Sequence, residues 1–386
     1  MILTLNSGSS SLKAALFHAS DPPRLELRAL LENIRQPRGR FTITGASGEV
    51  RLDEAPELPD HARAMDLFFE RVKEHGTPQA VGHRVVHGGP RFTEPARVTD
   101  ELLAEVRRLT PFVPLHLPPE IAAVEYVARA FPDVPQIACF DTAFHRTLPE
   151  VARTFALPER LLGEGVRRYG FHGLSYESIL GQLREVSAPE ADGRVIVAHL
   201  GNGASMAAVR GGECVETTMG FTPTAGLVMG TRPGDLDPGL LVYLMRAHQL
   251  GPDETERILN KESGLLGLSG RTNDVAELLR REASDPAAKL ALDVFCYQAR
   301  KWVGALAAAL GGLETLVFTA GIGENAPAVR ARICSGVEHL GVTIDAGRNA
   351  ENAAVISADG ARVAVRVMKT DEELVIARHI MRLLGG

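Results

Sequence analysis

The chain has 386 residues, 45% hydrophobic and 23% charged, with a formal net charge of −6. That length corresponds to about two domains. A net-negative chain of ordinary globular composition makes a poor partner for a phosphate backbone. It also lacks the bias of disordered, collagenous or membrane-spanning sequences, which excludes those classes.

In chain order, an apolar strand over 2–5 is followed by Asn6, Ser7, Gly8, Ser9, Ser10 and Ser11, then by Leu12 and Lys13. A tight turn needs only one or two such residues. The segment reads either as a serine-rich hairpin loop with a solvated lysine or as backbone shaped to approach an anion. Next comes Gly82-His83-Arg84-Val85-Val86-His87-Gly88-Gly89, an arginine inside an apolar strand. A charge there needs a partner, either a local carboxylate or a ligand. His83 and His87 lie four apart on a strand, on one face but too distant to share a zinc ion. Helical periodicity covers 100–109 and 118–130. A strand over 134–140 delivers Asp141 at its C-terminal end, where open α/β sheets place ligand groups; a turn or cap aspartate is the alternative.

Arg167-Arg168-Tyr169-Gly170-Phe171-His172-Gly173 is basic and punctuated by glycine. A strand over 195–200 then runs into Gly201-Asn202-Gly203, where Asn-Gly alone would make a type I′ hairpin turn. That turn leaves His199 and the flanking glycines unexplained. Arg232 stands among glycines and prolines, so a rigid loop presents one guanidinium, a fork suited to phosphoryl or carboxylate groups. A helix over 286–310 and a strand over 315–319 lead to Gly321, Ile322, Gly323, Glu324 and Asn325. A loop of bare backbone is expected there, suited to a nucleotide's base or ribose, with Pro327 starting a helix. A strand over 362–368 precedes Thr370-Asp371-Glu372-Glu373, read as a capping box with Thr370 as N-cap and Glu373 three on. This leaves Glu372 free to hold a metal, on a final helix over 371–384.

Leu5-x-x-Gly8-Ser9-Ser10 is echoed half a chain later by Leu200-x-x-Gly203-Ala204-Ser205. Apart from chance, the echo describes two strand–glycine loop–strand hairpins, one per half of a duplicated α/β fold. Their N–H groups could hold phosphates from two sides. Neither a Walker A loop nor a complete Rossmann glycine fingerprint occurs. The cysteines, Cys139, Cys214, Cys296 and Cys334, are scattered without a C-x-x-C pair, as expected of buried free thiols in a reducing compartment. Met1 leads directly into a strand without a signal-like segment, and the apolar stretch 303–310 is too short to cross a bilayer. A cytoplasmic protein is expected.

NSGSSSLK, GHRVVHGG, FDTAFH, RRYGFHG, HLGNGAS, MGFTPTAG, MGTRPGD, FTAGIGEN and TDEEL, in this order, resemble the acetate kinase family, from residue 2 to about residue 380. The resemblance implies an α/β, duplicated actin-like (ribonuclease H-like) two-domain fold of the acetate and sugar kinase/Hsp70/actin superfamily. A nucleotide cleft would lie between a domain over 1–147, joined by the C-terminal helix at about 375–386, and a domain over 148–374. It further implies reversible transfer of the ATP γ-phosphoryl group to acetate, giving acetyl phosphate and ADP, by a cytoplasmic homodimer. Mg²⁺ is the implied metal, with Mn²⁺ as a substitute.

Residue by residue, the resemblance places Asn6 and Glu372 on the magnesium positions and Lys13 on a nucleotide-phosphate contact. Arg84 and Arg232 match the active-site arginines, Asp141 the catalytic aspartate, and His172 the histidine at the transition state. His199, Leu200, Gly201, Asn202 and Gly203, then Asp274, Val275 and Ala276, then Gly321, Ile322, Gly323, Glu324 and Asn325, match nucleotide-binding segments. Val86, Leu115, Phe171 and Pro223, with Arg84, match a small apolar acyl pocket that leaves room for a methyl group. Two departures stand out: Leu117 and Ala276 replace the asparagine and arginine common in the family. The first removes an amide beside the pocket. The second removes a nucleotide contact and leaves ATP, GTP and pyrophosphate open as donors. Acetate is already ionised at neutral pH, so Asp141 is expected to orient water, metal or an arginine rather than abstract a proton. The rival readings are another short-chain acyl kinase and an actin- or Hsp70-like ATPase. The second rival has no need of Arg84 and Arg232 at an acyl site.

Overall fold

The computed structural model describes every residue except Ser9, Glu164 and Gly386. The chain divides into two compact units, Met1–Phe144 with Asp371–Gly386, and His145–Thr370.

The first unit is built on β1 (Ile2–Ser7), β2 (Ser11–His18), β3 (Arg24–Glu32), β4 (Arg40–Gly45), β5 (Val50–Glu54), β6 (Ala80–Val85), β7 (Ala96–Arg97) and β8 (Gln136–Phe140). They form one sheet in the order β5-β4-β3-β2-β1-β6-β8-β7. β1 is buried along its whole length, which its apolar run requires of a central strand. It pairs antiparallel with β2, placing Asn6 opposite Lys13, and parallel with β6. A parallel partner demands a crossover, and the helix His61–Val72, N-capped by the Asp60 side chain, lies in that connection. The C-terminal helix Glu372–Leu384 packs on β1 and β6. A Cβ on Gly82 would lie 2.4 Å from Ile376 Cγ2, so glycine alone lets the helix approach this strand.

The second unit has a five-stranded sheet of β9 (Arg194–Leu200), β10 (Ala204–Arg210), β11 (Glu213–Thr217), β12 (Thr315–Thr319) and β13 (Ala364–Val367). Its order is β11-β10-β9-β12-β13. β9 pairs antiparallel with β10 and parallel with β12, repeating the pattern of β1 with β2 and β6. The halves therefore share a hairpin-then-parallel plan, as the echo around Leu5 and Leu200 implied. The helix Pro286–Leu310 carries its own punctuation: Asp285 caps two backbone amides, proline occupies the first turn, and Gly311 closes it in the left-handed region at φ 70°.

Three local expectations need correction. The serine-rich loop is shorter than its composition implies, because Asn6, Ser7 and Ser11 extend the strands; Ser9 lies outside the described residues. Asp371, not Thr370, caps the last helix, accepting from the Leu374 amide. Glu373 does not close a capping box but pairs with Arg28 at 3.0 Å. Finally, 321–325 is no loop: the helix Ala320–Asn325 begins directly after β12. All four cysteines are buried and free. Among the described residues, no helix is long and apolar enough to cross a membrane.

Candidate active site

In the first unit the chemistry gathers where β1, β6 and β8 end. Arg84, near the end of β6, sends Nε and Nη2 to the two oxygens of Asp141, at 3.1 and 2.5 Å. Its Nη1 donates to Asn6 Oδ1 at 3.3 Å. Asp141 is fully buried at the end of β8, so it serves as the counter-ion of Arg84, one of the alternatives the sequence left open. Burial alone would lower the Arg84 pKa; Asp141, Glu372 and Glu120 more than reverse this and raise it. Asn6 Nδ2 in turn donates to Glu372 Oε2 at 3.2 Å. Two oxygen-bearing side chains from opposite ends of the chain thus meet beside Arg84. Lys13 projects from β2 on the Asn6 face, with its side chain exposed.

His83 and His87 go separate ways: the first meets the Gln136 side chain and the second accepts from the Gly89 amide. Val86 is buried, while Leu115 is partly exposed just before the helix Leu117–Ala130. Leu117, the departure from the family pattern, is wholly buried at the start of that helix. An asparagine amide is thereby exchanged for core packing.

In the second unit a cluster surrounds the β9–β10 turn. His172 sits in the left-handed region at φ 58°, immediately before the helix Gly173–Val186. Such backbone is uncommon outside glycine, and it concentrates at functional sites. Its Nδ1 meets Ser205 Oγ at 2.9 Å, and its ring stacks on His199, with centroids 4.1 Å apart. His199 Nδ1 meets Ser175 Oγ at 2.8 Å. A Cβ on Gly203 would lie 2.7 Å from Arg232 Nη2 and 3.3 Å from His172 Nε2, so this glycine admits both side chains to its backbone. Arg232 Nη1 donates to the Pro223 carbonyl at 2.5 Å. Among the described residues no carboxylate pairs with it. Desolvation pulls its pKa down to about 10, which still leaves it cationic at neutral pH. Phe171 is buried, with its carbonyl held by His145 at 2.9 Å.

The nucleotide segments expected from the sequence lie on this unit. Asn202 Oδ1 accepts from Asn273 at 2.9 Å. Asp274 spends its carboxylate capping the helix Val275–Arg281 through the Ala276 and Glu277 amides, while Val275 is buried. Ala320 opens the helix Ala320–Asn325 at φ 65°. Glu324 Oε1 accepts from the Ala320 amide at 2.9 Å and the Thr370 amide at 3.3 Å, so it fixes the turn. From below, the fully buried Arg330 donates to the carbonyls of Gly323 and Glu324. Gly321, Ile322 and Asn325 are displayed on that anchored turn.

Sequence reasoning missed Arg330, Ser175, Ser205 and Glu120. Only the serine after Gly203-Ala204 left a trace, in the half-chain echo. Glu120 looks like an ordinary first-turn helix acid, yet it is buried, and its Oε2 accepts from the Val86 amide at 2.9 Å.

The comparisons with known proteins identify the family and the fold. The acetate kinase of Rhodopseudomonas palustris is 47% identical over 396 aligned residues, covering 100% of this chain and 99% of the relative. A crystal structure of Porphyromonas gingivalis acetate kinase superposes with a TM-score of 0.88 at 37% identity, over 99% of both chains. A propionate kinase structure from Francisella tularensis matches with a TM-score of 0.91 at 35% identity, over 98% of both. The duplicated actin-like α/β fold expected from the sequence is the fold of these neighbours. With the acetokinase family model matching residues 1–378, this chain belongs to the acetokinase family, kinases that phosphorylate a carboxylate.

Proposed function

We propose that the chain transfers the γ-phosphoryl group of ATP to acetate, giving acetyl phosphate and ADP, and runs the reverse reaction on the same groups. The observation that carries this reading is the convergence of Arg232, His172 and the Gly203 backbone on one spot. A cation without a carboxylate partner among the described residues, a positioned imidazole and close glycine backbone suit a transferring phosphoryl group, whose charge spreads over three oxygens. Arg84 and Asp141 support the acceptor end. With both Asp141 oxygens engaged by Arg84, the aspartate orients a guanidinium for the acceptor carboxylate, which needs no general base. Ser205 holds the His172 ring so that its far edge faces the Gly203 turn.

Asn6 and Glu372 would hold Mg²⁺, or Mn²⁺ in its place. An amide oxygen and a carboxylate suit a hard cation that takes its remaining ligands from phosphate and water. When bound, that ion neutralises phosphate charge. Lys13, the 199–203 turn, the 274–276 cap and the 321–325 helix would receive the nucleotide. With Ala276 contributing only backbone, ATP remains the favoured donor over GTP and pyrophosphate through its shared family use.

The acceptor is read as acetate rather than propionate from the family match, which assigns the small apolar side chain of Val86 and the ring of Phe171, each buried within its own unit, to the acyl end. Acyl-phosphate trapping with each acid should give a kcat/KM higher for acetate by roughly tenfold, since one methylene is worth ~1–3 kcal/mol. A higher value for propionate would favour the second reading, which the propionate kinase neighbour keeps in view.

The protein works as a homodimer in the cytoplasm, where reducing conditions suit its free thiols. The helix Pro238–Ala247 buries none of its residues and exposes Leu240, Val242 and Tyr243; Leu290 and Tyr297 are exposed on the helix Pro286–Leu310. Apolar side chains so presented mark an association surface. Sedimentation should give the mass of two chains for the wild type and of one for Tyr243→Glu; a wild-type monomer would refute the assembly.

A further inference from the structure

Glu120 is the one acidic side chain beside Arg84 that the reaction scheme leaves without a task. It stands in the first turn of the helix Leu117–Ala130 and is 2% exposed. Its Oε2 accepts from the Val86 amide at 2.9 Å. Its Oε1 is buried with no hydrogen-bond partner among the described residues, 3.9 Å from Arg84 Nη1. Asp141 already fills the other edge of that guanidinium through Nε and Nη2. A buried polar atom without a partner is costly, and a helix start offers better places for an acid. The position makes sense if the carboxyl acts on what the acceptor would meet: the backbone at Val86 and the Nη1 edge of Arg84, whose other contact is the 3.3 Å hydrogen bond to Asn6 Oδ1.

We propose that Glu120 is a positioning residue for the carboxylate acceptor, fixing the Val86 amide with one oxygen and setting, with the other, how much of the Arg84 Nη1 edge is left for the substrate. The inference rests on the acetate reading above. A carboxylic acid at this place leaves Arg84 Nη1 to the incoming carboxylate; a carboxylate there competes for it as an internal counter-ion. The charged groups acting on Glu120 are Arg84 from β6, which favours its ionisation, and Asp141 from the end of β8, which opposes it. Burial is the largest influence and pushes the carboxyl up to about 8, so it holds its proton at neutral pH and releases it in mild alkali. Acceptor binding should therefore weaken with rising pH through this one group.

Steady-state kinetics on the full-length enzyme with saturating Mg²⁺ and ATP test the proposal. For the wild type, the KM for acetate should rise several-fold between about pH 6.5 and about pH 9. Glu120→Gln, which keeps the size and the Val86 contact but cannot ionise, should match the wild-type KM at the lower pH and stay flat across the range. Glu120→Ala, which strands the Val86 amide, should raise the acetate KM by about tenfold while the KM for ATP stays unchanged. A parallel pH response in wild type and Glu120→Gln, or an Ala variant that raises both KM values together, would overturn it. Should Glu120→Ala fail to fold, the Glu120→Gln profile decides alone. If no variant and not even the wild type forms acetyl phosphate, the acetate reading fails instead.

Discussion

Arg232→Ala is expected to lower kcat by about 10³–10⁵, the range for a guanidinium that stabilises a transferring phosphoryl group. The same change should leave the melting temperature unchanged or raise it. Arg232 has the Pro223 carbonyl as a partner but no carboxylate among the described residues, and desolvation already lowers its pKa. A cation held this way costs the free protein stability and is repaid only when a ligand brings negative charge. Arg232→Lys should rescue little, because a point charge cannot reproduce the fork that reaches Pro223 with Nη1 and the Gly203 turn with Nη2. Steady-state kinetics with thermal melts check both halves. A kcat within tenfold of wild type, or a clear loss of melting temperature, would remove Arg232 from the transition state.

The second large effect concerns a charge that does have its partner. Asp141→Ala leaves the Arg84 guanidinium without its bidentate counter-ion in a buried setting, which typically costs 3–5 kcal/mol. Catalysis should be lost with it, because Arg84 would turn toward Glu120 and Glu372, the other carboxylates acting on it. Arg84→Met in the Asp141→Ala background should restore most of the stability and none of the activity. Removing both halves of a buried pair is far cheaper than removing one. Denaturant midpoints for the two single variants and the double variant measure this coupling. If Asp141→Ala unfolds at the wild-type midpoint, or the double variant is no more stable than the single, the pair does not organise the site.

Part of the candidate site was legible because some of its residues are unusual for where they stand. An arginine inside an apolar strand, an aspartate at a strand end and a lone arginine in a glycine–proline loop each violate the local pattern. Such violations read through a single sequence. Glu120 and Arg330 do not violate it. One is an acid in a first helical turn and the other a base on a short helix, and both look solvated until the chain folds over them. The 321–325 segment is a helix rather than the expected loop for a related reason. Two glycines argue against a helix by propensity, but Glu324 binding the Ala320 and Thr370 amides and Arg330 binding two carbonyls outweigh it. At the last helix the choice between Thr370 and Asp371 as cap is one residue wide. The Arg28 contacts to Asp371 and Glu373, from a strand remote in sequence, accompany the capping by Asp371.

The sequence by itself determined the alternation of strands and helices, the helix Pro286–Leu310 with its caps, and the two echoed hairpins. These depend on periodicity and turn chemistry within a few neighbours. Only the tertiary structure decided that Asn6 meets Glu372 across 366 residues, that Arg84 takes Asp141 as its counter-ion, and that Arg232 stands without a carboxylate partner among the described residues. Charge pairing in a buried setting is settled by distance and desolvation. Neither quantity exists until separate stretches of chain are brought together.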